Sequence, residues 1–136
     1  MKMEIFFDEG KKVNAAYNGN IIKTDQPVEA GGEGSAPAPF DLFLASVGTC
    51  AGIYVKSFCM KRGIPTDDIR IIQSLDFDNA QGLVSKIKLE LDLPESFPVK
   101  YRSAVINAAN LCAVKKHLLH PPEIEVVAKI NDYVNN

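Results

Sequence analysis

The sequence predicts a mixed α+β fold, and three observations carry that expectation. Short segments of alternating polar and apolar residues near the start are joined at Asn18-Gly19. A long, nearly uncharged helical stretch follows, bounded by Pro39 and Gly63. Two further alternating segments then precede shorter helical ones. Strands and helices mixed in this way, without a regular βαβ repeat, read as α+β. The expected order is βββ-α-ββ-α-α-β, in a single domain over residues 1–136. Its strands lie within 1–26, a loop covers 27–38, and the α+β remainder fills 39–136.

Residues 2–7, 12–17 and 21–24 read as short strands. Asn-Gly supplies the two positive φ angles of a type I′ turn, so Tyr17-Asn18-Gly19-Asn20 is a hairpin. Residues 27–38, PVEAGGEGSAPA, form a loop rich in Gly and Pro that crosses the surface. The Gly-Gly-Glu-Gly of positions 31–34 has no following lysine and lacks GxGxxG spacing, so it is no phosphate cradle.

A long helix is expected over residues 39–62. Pro39 suits the first helical turn, where its missing N–H costs nothing, and Asp41 complements the helix dipole. Lys61, Arg62, Gly63 and Pro65 end it, with Gly63 as a left-handed cap. Between Phe40 and Met60 the only charges are Asp41 and Lys56. A helix apolar on nearly all sides must be covered on nearly all sides. Gly48 and Gly52 would let another backbone approach closely, and together these features suggest an intimate homodimer. The uncharged stretch from Leu42 to Val55 falls short of the roughly 20 residues a membrane span needs, so a buried core helix is expected and no membrane partner.

Residues 69–77 and 84–93 read as strands. The second alternates Ile87, Leu89, Leu91 and Leu93 against Lys86, Lys88, Glu90 and Asp92. Ser96 and Pro98 open a helix carrying Val99, Val105 and Ala109. A break near Asn110 precedes a short basic helix over 112–119. Pro121-Pro122 ends it, and 124–130 alternates as a last strand.

Fifteen Lys and Arg face seventeen Asp and Glu, a net charge of -2, which lacks the footprint of a nucleic-acid binder. The first nine residues hold no apolar run of signal-peptide type, so the cytoplasm is the expected compartment. Thiols there stay reduced unless they are used. The three cysteines, Cys50, Cys59 and Cys112, are an odd number and show no CxxC spacing. They form neither a closed disulfide framework nor a structural zinc site, and no metal or cofactor is expected.

Cys59 lies nine residues after Cys50, or 900° at 100° per residue, and so faces the opposite side of the long helix. It reads as a small apolar core residue. If Asn110 is an N-cap, Cys112 lies in a first turn, where N–H groups and the dipole favour a thiolate and Lys115, Lys116 and His117 add positive charge. Residue pattern alone leaves a reactive and a structural Cys112 both open. Cys50 has only neutral neighbours in sequence. His117 and His120 read as exposed, with no carboxylate partner at useful spacing.

The stretch 37–50, PAPFDLFLASVGTC, resembles the signature of the OsmC/Ohr family of osmotically inducible and organic-hydroperoxide-resistance proteins. Leu111-Cys112-Ala113-Val114 is similar to the segment around the family's second cysteine, and residues 25–34 resemble the loop before its long helix. The resemblance spans nearly the whole chain. It implies an intertwined homodimer and a two-cysteine peroxidase, with an organic hydroperoxide as substrate and a dithiol or protein thiol as reductant. Cys50 would be the peroxidatic residue, passing through a sulfenic acid, and Cys112 the partner that closes a disulfide.

Two departures stand out. The family's N-terminal arginine, which holds the thiolate ionised, is absent, since the first arginine is Arg62, about 18 Å along the helix from Cys50. The glutamate that follows the helix-opening proline is replaced by Phe40. Lys12 and Lys23 are the candidate substitutes. The same departures motivate a second expectation, a binding or redox-sensing dimer whose apolar pocket is lined by Phe40, Phe43, Tyr54 and Phe58.

Overall fold

The computed structural model describes residues 1–130. Strands β1 (Glu4–Phe7), β2 (Val13–Tyr17) and β3 (Asn20–Ile22) form an antiparallel meander in the order β1-β2-β3. Asn18 and Gly19 have φ values of 48° and 76°, so the hairpin turn forms where the Asn-Gly pair calls for it. Tyr17 pairs with Asn20 across it.

The segment between this sheet and the long helix is organised by one carboxylate. Asp25 is 1% exposed and accepts hydrogen bonds from the amides of Gln26 (2.7 Å), Glu33 (3.3 Å) and Ser35 (3.0 Å) and from the Ser35 hydroxyl (2.6 Å). Ser35's hydroxyl and amide lead in holding the Asp25 carboxyl at about 2, below its ordinary 3.8. Gly32 is obligatory here, because a Cβ would sit 2.0 Å from the Gln26 carbonyl oxygen.

Helix α1 (Pro39–Met60) starts at Pro39, and the Asp41 carboxylate accepts from the Ala38 amide at 3.1 Å. Gly63, at φ 64°, lies in the left-handed region just after its end, and the Ile64 amide returns to the Cys59 carbonyl. Strands β4 (Arg70–Asp78) and β5 (Leu83–Asp92) form a separate two-stranded antiparallel sheet. A short 3-10 turn, Val99–Tyr101, leads into α2 (Arg102–Ala109), and α3 (Ala113–Leu119) follows.

The core lies between α1, α2 and the β4–β5 sheet. Val47, Ala51, Val55 and Cys59, spaced by four, are the buried stripe of α1. Val55 and Cys59 meet Ile69, Phe97 and Val105, with Ile71, Leu91 and Leu93 packed against them. The inward residues of β5 are those the alternation predicts, Ile87, Leu89 and Leu91.

Two expectations, on Asn110 and on residues 124–130, need correction, and within this chain Gly48 and Gly52 face side chains of β4. A Cβ at Gly48 would meet the Gln73 side chain at 2.8 Å, and one at Gly52 would meet Ile71 at 3.7 Å. Gln73 crosses from β4 to donate to the Leu44 carbonyl at 3.0 Å, so the glycine is a window for a side chain. Asn110 does not cap α3. It closes α2, and Cys112 is the α3 N-cap, its sulfur accepting from the Lys115 amide at 3.4 Å. Residues 124–130 form no strand, because no edge within the described chain pairs with them, and Ile124, Val126 and Ile130 are exposed. Alternation specifies a face, but a strand also needs a neighbour for its backbone.

Candidate thiol site

Two elements distant in sequence meet at Cys50. On α1, Val47 and Cys50 are three residues apart and share a face. Helix α3 approaches that face with its N-terminal end. The Cys112 sulfur lies 3.9 Å from the Val47 carbonyl oxygen and is 1% exposed, whereas Cys50 is half-buried. The two cysteine side chains are close enough to influence each other's ionisation, and all three cysteines are free thiols.

The electrostatics of the pair are asymmetric. The Val114 amide is the main influence that lowers the Cys50 thiol, with the Cys112 thiol and the Ala113 amide adding to it against partial burial. These donors favour the thiolate, since each is stronger toward a charged acceptor. Cys112 moves the other way. Burial is the main cause, and proximity to an ionised Cys50 adds to it. Of the two thiols, Cys50 is therefore the more readily ionised and Cys112 the less.

The start of α3 thus serves both thiols: the Lys115 amide donates to Cys112, and the Val114 and Ala113 amides act on Cys50. The signal invisible in the sequence is a tertiary one: α3 ends its approach on α1 at Cys50. The available sequence clue was the Leu-Cys-Ala-Val segment at 111–114.

The arginine substitutes lie elsewhere. Lys12 pairs with Glu33, which raises its ammonium above the ordinary value. Lys12 and Lys23 both line a polar cleft of about 280 Å³ with Asp8, Asn14, Thr24 and Ser35, between β2 and the Asp25 loop. Neither is among the groups that act on Cys50. Arg62 lies over the Phe58 ring, 3.7 Å from its centroid, and donates to the Phe58 carbonyl. The influences that lower the Cys50 thiol are backbone amides and the Cys112 thiol, with no cationic side chain among them.

The four aromatic candidates divide. Phe40 and Phe43 stack with centroids 5.6 Å apart, and Phe43 lines a groove beside α3. Phe58 instead packs edge-on against Tyr101 at 5.9 Å, beside the core, and Tyr54 is half-buried. Cys59 is fully buried, and burial raises its thiol. His117 and His120 are exposed.

The model of the OsmC-like protein family matches residues 32–127, which takes in α1, β4, β5, α2, α3 and both cysteines of the pair. The chain belongs to the OsmC-like family. Helix α1 is long and apolar enough to cross a membrane by length and composition, and its Val47, Ala51, Val55 and Cys59 stripe is buried. Among solved structures the fold is similar to a Psychrobacter arcticus protein assigned to osmotic stress and detoxification, at 20% identity and a TM-score of 0.71, covering 85% of this chain and 86% of that one. It is also similar to an OsmC-like protein of Mycoplasma pneumoniae, at 13% identity and 0.63, covering 88% and 87%. The organic hydroperoxide resistance protein OhrB of Bacillus subtilis aligns at 21% identity and 0.51, covering 85% and 87%. No curated protein matches the chain.

Proposed function

We propose that this OsmC-like protein is a thiol peroxidase that reduces organic hydroperoxides through Cys50 and Cys112. The observation that supports the reading is the meeting of the two cysteine-bearing helices: Cys112 at the start of α3 lies against the Cys50 face of α1, its sulfur 3.9 Å from the Val47 carbonyl oxygen. In the first step the Cys50 thiolate attacks the terminal peroxide oxygen. The O–O bond breaks, the alkoxide takes a proton and leaves as the alcohol, and Cys50 becomes a sulfenic acid. Cys112 then attacks the Cys50 sulfur, water leaves, and the disulfide closes. A dithiol or protein thiol reduces it by exchange and supplies the two electrons spent on the peroxide. The buried Cys112 keeps its proton until Cys50 is oxidised, which prevents two adjacent anions.

The test is consumption of cumene hydroperoxide with a dithiol reductant. Wild type turns over, Cys50→Ser does not, and Cys112→Ser accumulates a sulfenic acid that dimedone traps. Full activity in Cys50→Ser would falsify the assignment.

The same reading includes a cytoplasmic homodimer. Ile53 and Met60 on α1 are 56% and 68% exposed, and residues 124–130 display Ile124, Val126 and Ile130 to solvent. Apolar surface of that extent marks an association site. Sedimentation at micromolar concentration should give twice the chain mass of 14.9 kDa, and a stable monomer overturns it.

A further inference from the structure

Helix α2 is fixed to the core and α3 is not. Val105 of α2 is fully buried in the cluster with Val55, Cys59 and Phe97, whereas α3 has no buried residue. A helix of seven residues is too short to persist by propensity alone. The place of α3 is therefore set by what holds its ends, and Cys112 sits at the first of them. Only Asn110, Leu111 and Cys112 separate the two helices.

That corner is closed by its backbone and again by one side chain. The Asn110 amide donates to the Ile106 carbonyl at 3.2 Å and the Leu111 amide to the Ala108 carbonyl at 3.0 Å, so Asn110 belongs to the end of α2. The Asn110 side-chain oxygen then accepts from the Lys115 ammonium at 2.6 Å. The backbone amide of the same Lys115 donates to the Cys112 sulfur at 3.4 Å. Lys115 thus holds the sulfur with its amide and α2 with its ammonium. The ion pairs among the described residues are Lys12–Glu33 and Lys88–Glu90, and Lys115 belongs to neither. On its other side the sulfur lies 3.9 Å from the Val47 carbonyl oxygen of α1. Its place is therefore defined by α1, by α3 and, through Lys115, by α2. A thiol that must strike one particular sulfur gains rate from being held in line with it.

We infer that Asn110 is a positioning residue for disulfide closure: through Lys115 it holds the Cys112 sulfur against α1, and its loss slows the attack of Cys112 on Cys50 while leaving the attack of Cys50 on its oxidant unchanged. The inference rests on the proposed pairing of Cys50 with Cys112, and it holds for any oxidant that leaves a good leaving group on Cys50.

DTNB, an aryl disulfide, separates the two steps without a peroxide. The Cys50 thiolate attacks one DTNB sulfur, a nitrothiobenzoate leaves, and a mixed disulfide stays on Cys50. Cys112 gives its proton to water and attacks the Cys50 sulfur, and a second nitrothiobenzoate leaves as the protein disulfide closes. The two protein thiols lose the two electrons that the reagent gains. Absorbance of the released thiolate gives two phases. Asn110→Ala should keep the first and slow the second about threefold to fivefold, the scale of one hydrogen bond. Lys115→Met should do the same, and the double variant should add nothing, because both changes remove one contact. Asn110→Asp, which offers a carboxylate to the same ammonium, should retain the wild-type second phase. Equal slowing of both phases would make Asn110 a support of the fold, and the inference fails. It fails too if neither Asn110→Ala nor Lys115→Met moves the second phase. A wild-type protein that never releases the second thiolate removes the pairing and the inference together. Second-phase slowing in Asn110→Ala, without cumene hydroperoxide turnover in wild type, keeps the positioning role and sinks the peroxidase. Turnover with an unmoved second phase does the reverse.

Discussion

Cys50 and Cys59 stand nine residues apart on one helix and have opposite surroundings. Cys50 turns toward the amides of α3 and stays half-buried, and those donors pull its thiol down. Cys59 turns toward Phe97 and Val105, is sealed from water, and burial pushes its thiol up. Residue type and helix are the same. What differs is whether the facing element presents N–H groups or hydrocarbon. On the proposed reading, reactivity belongs to the α1–α3 contact, and the buried core to the α1–α2 contact.

The largest effect that tests this contrast is on turnover. Cys50→Ser should bring peroxide consumption to the buffer background, whereas Cys59→Ala should stay within about twofold of wild type and cost about 1 kcal/mol in denaturant unfolding. A Cys59 variant as inactive as the Cys50 variant would collapse the distinction. Alkylation comes next. Iodoacetamide should label Cys50 first, with a pH midpoint below that of a free cysteine, and label Cys59 only at the rate of unfolding, read by mass spectrometry of peptides. Cys112 should label later and at higher pH than Cys50.

A finer test removes one donor. Val114 is in the first turn of α3, where proline is tolerated, so Val114→Pro deletes the amide that acts on Cys50 with little damage to the helix. The Cys50 midpoint should move up, and alkylation near pH 6 should slow about fivefold, as expected for losing one hydrogen bond to a charged acceptor. An unmoved midpoint would assign the effect to Ala113 and Cys112. The smallest effect concerns the loop that delivers α1. The folded Asp25 carboxyl, at about 2, lies below its ordinary 3.8. Its contribution is therefore complete above pH 4 and lost as pH falls from about 4 to about 2. Amide exchange at Glu33 and Ser35 should accelerate in that window, and Asp25→Asn should abolish the dependence.

Much of this fold was legible before any coordinates. Asn18-Gly19 names its own turn, Pro39 and Gly63 bracket α1, and the alternation of β5 gives its buried face, because each depends on local backbone geometry or on a fixed period. The opposition of Cys50 and Cys59 follows from helical arithmetic. The donors at Cys50 were not legible, since they depend on where α3 lands, and their nearest sequence clue pointed at Cys112. Asn110 misleads for a related reason. It is a good N-cap residue, but its side chain is used by Lys115 and the cap falls to a cysteine. Residues 124–130 show the limit of periodicity, which describes a strand's face and is silent about its partner.

The Asp25 carboxylate has a consequence for how this protein tolerates change in length. The chain leaves that carboxylate at Gln26 and returns to it at Glu33 and Ser35, so the excursion between them begins and ends at one buried group. Lengthening a loop whose ends are already pinned costs only about 0.6 kcal/mol per doubling. Extra residues placed at Glu29, at the exposed crest, would leave Ser35, Ala38 and the start of α1 where they are. The helix that carries Cys50 is insulated from the segment before it, and that crest is the natural place to graft a peptide tag or a reporter.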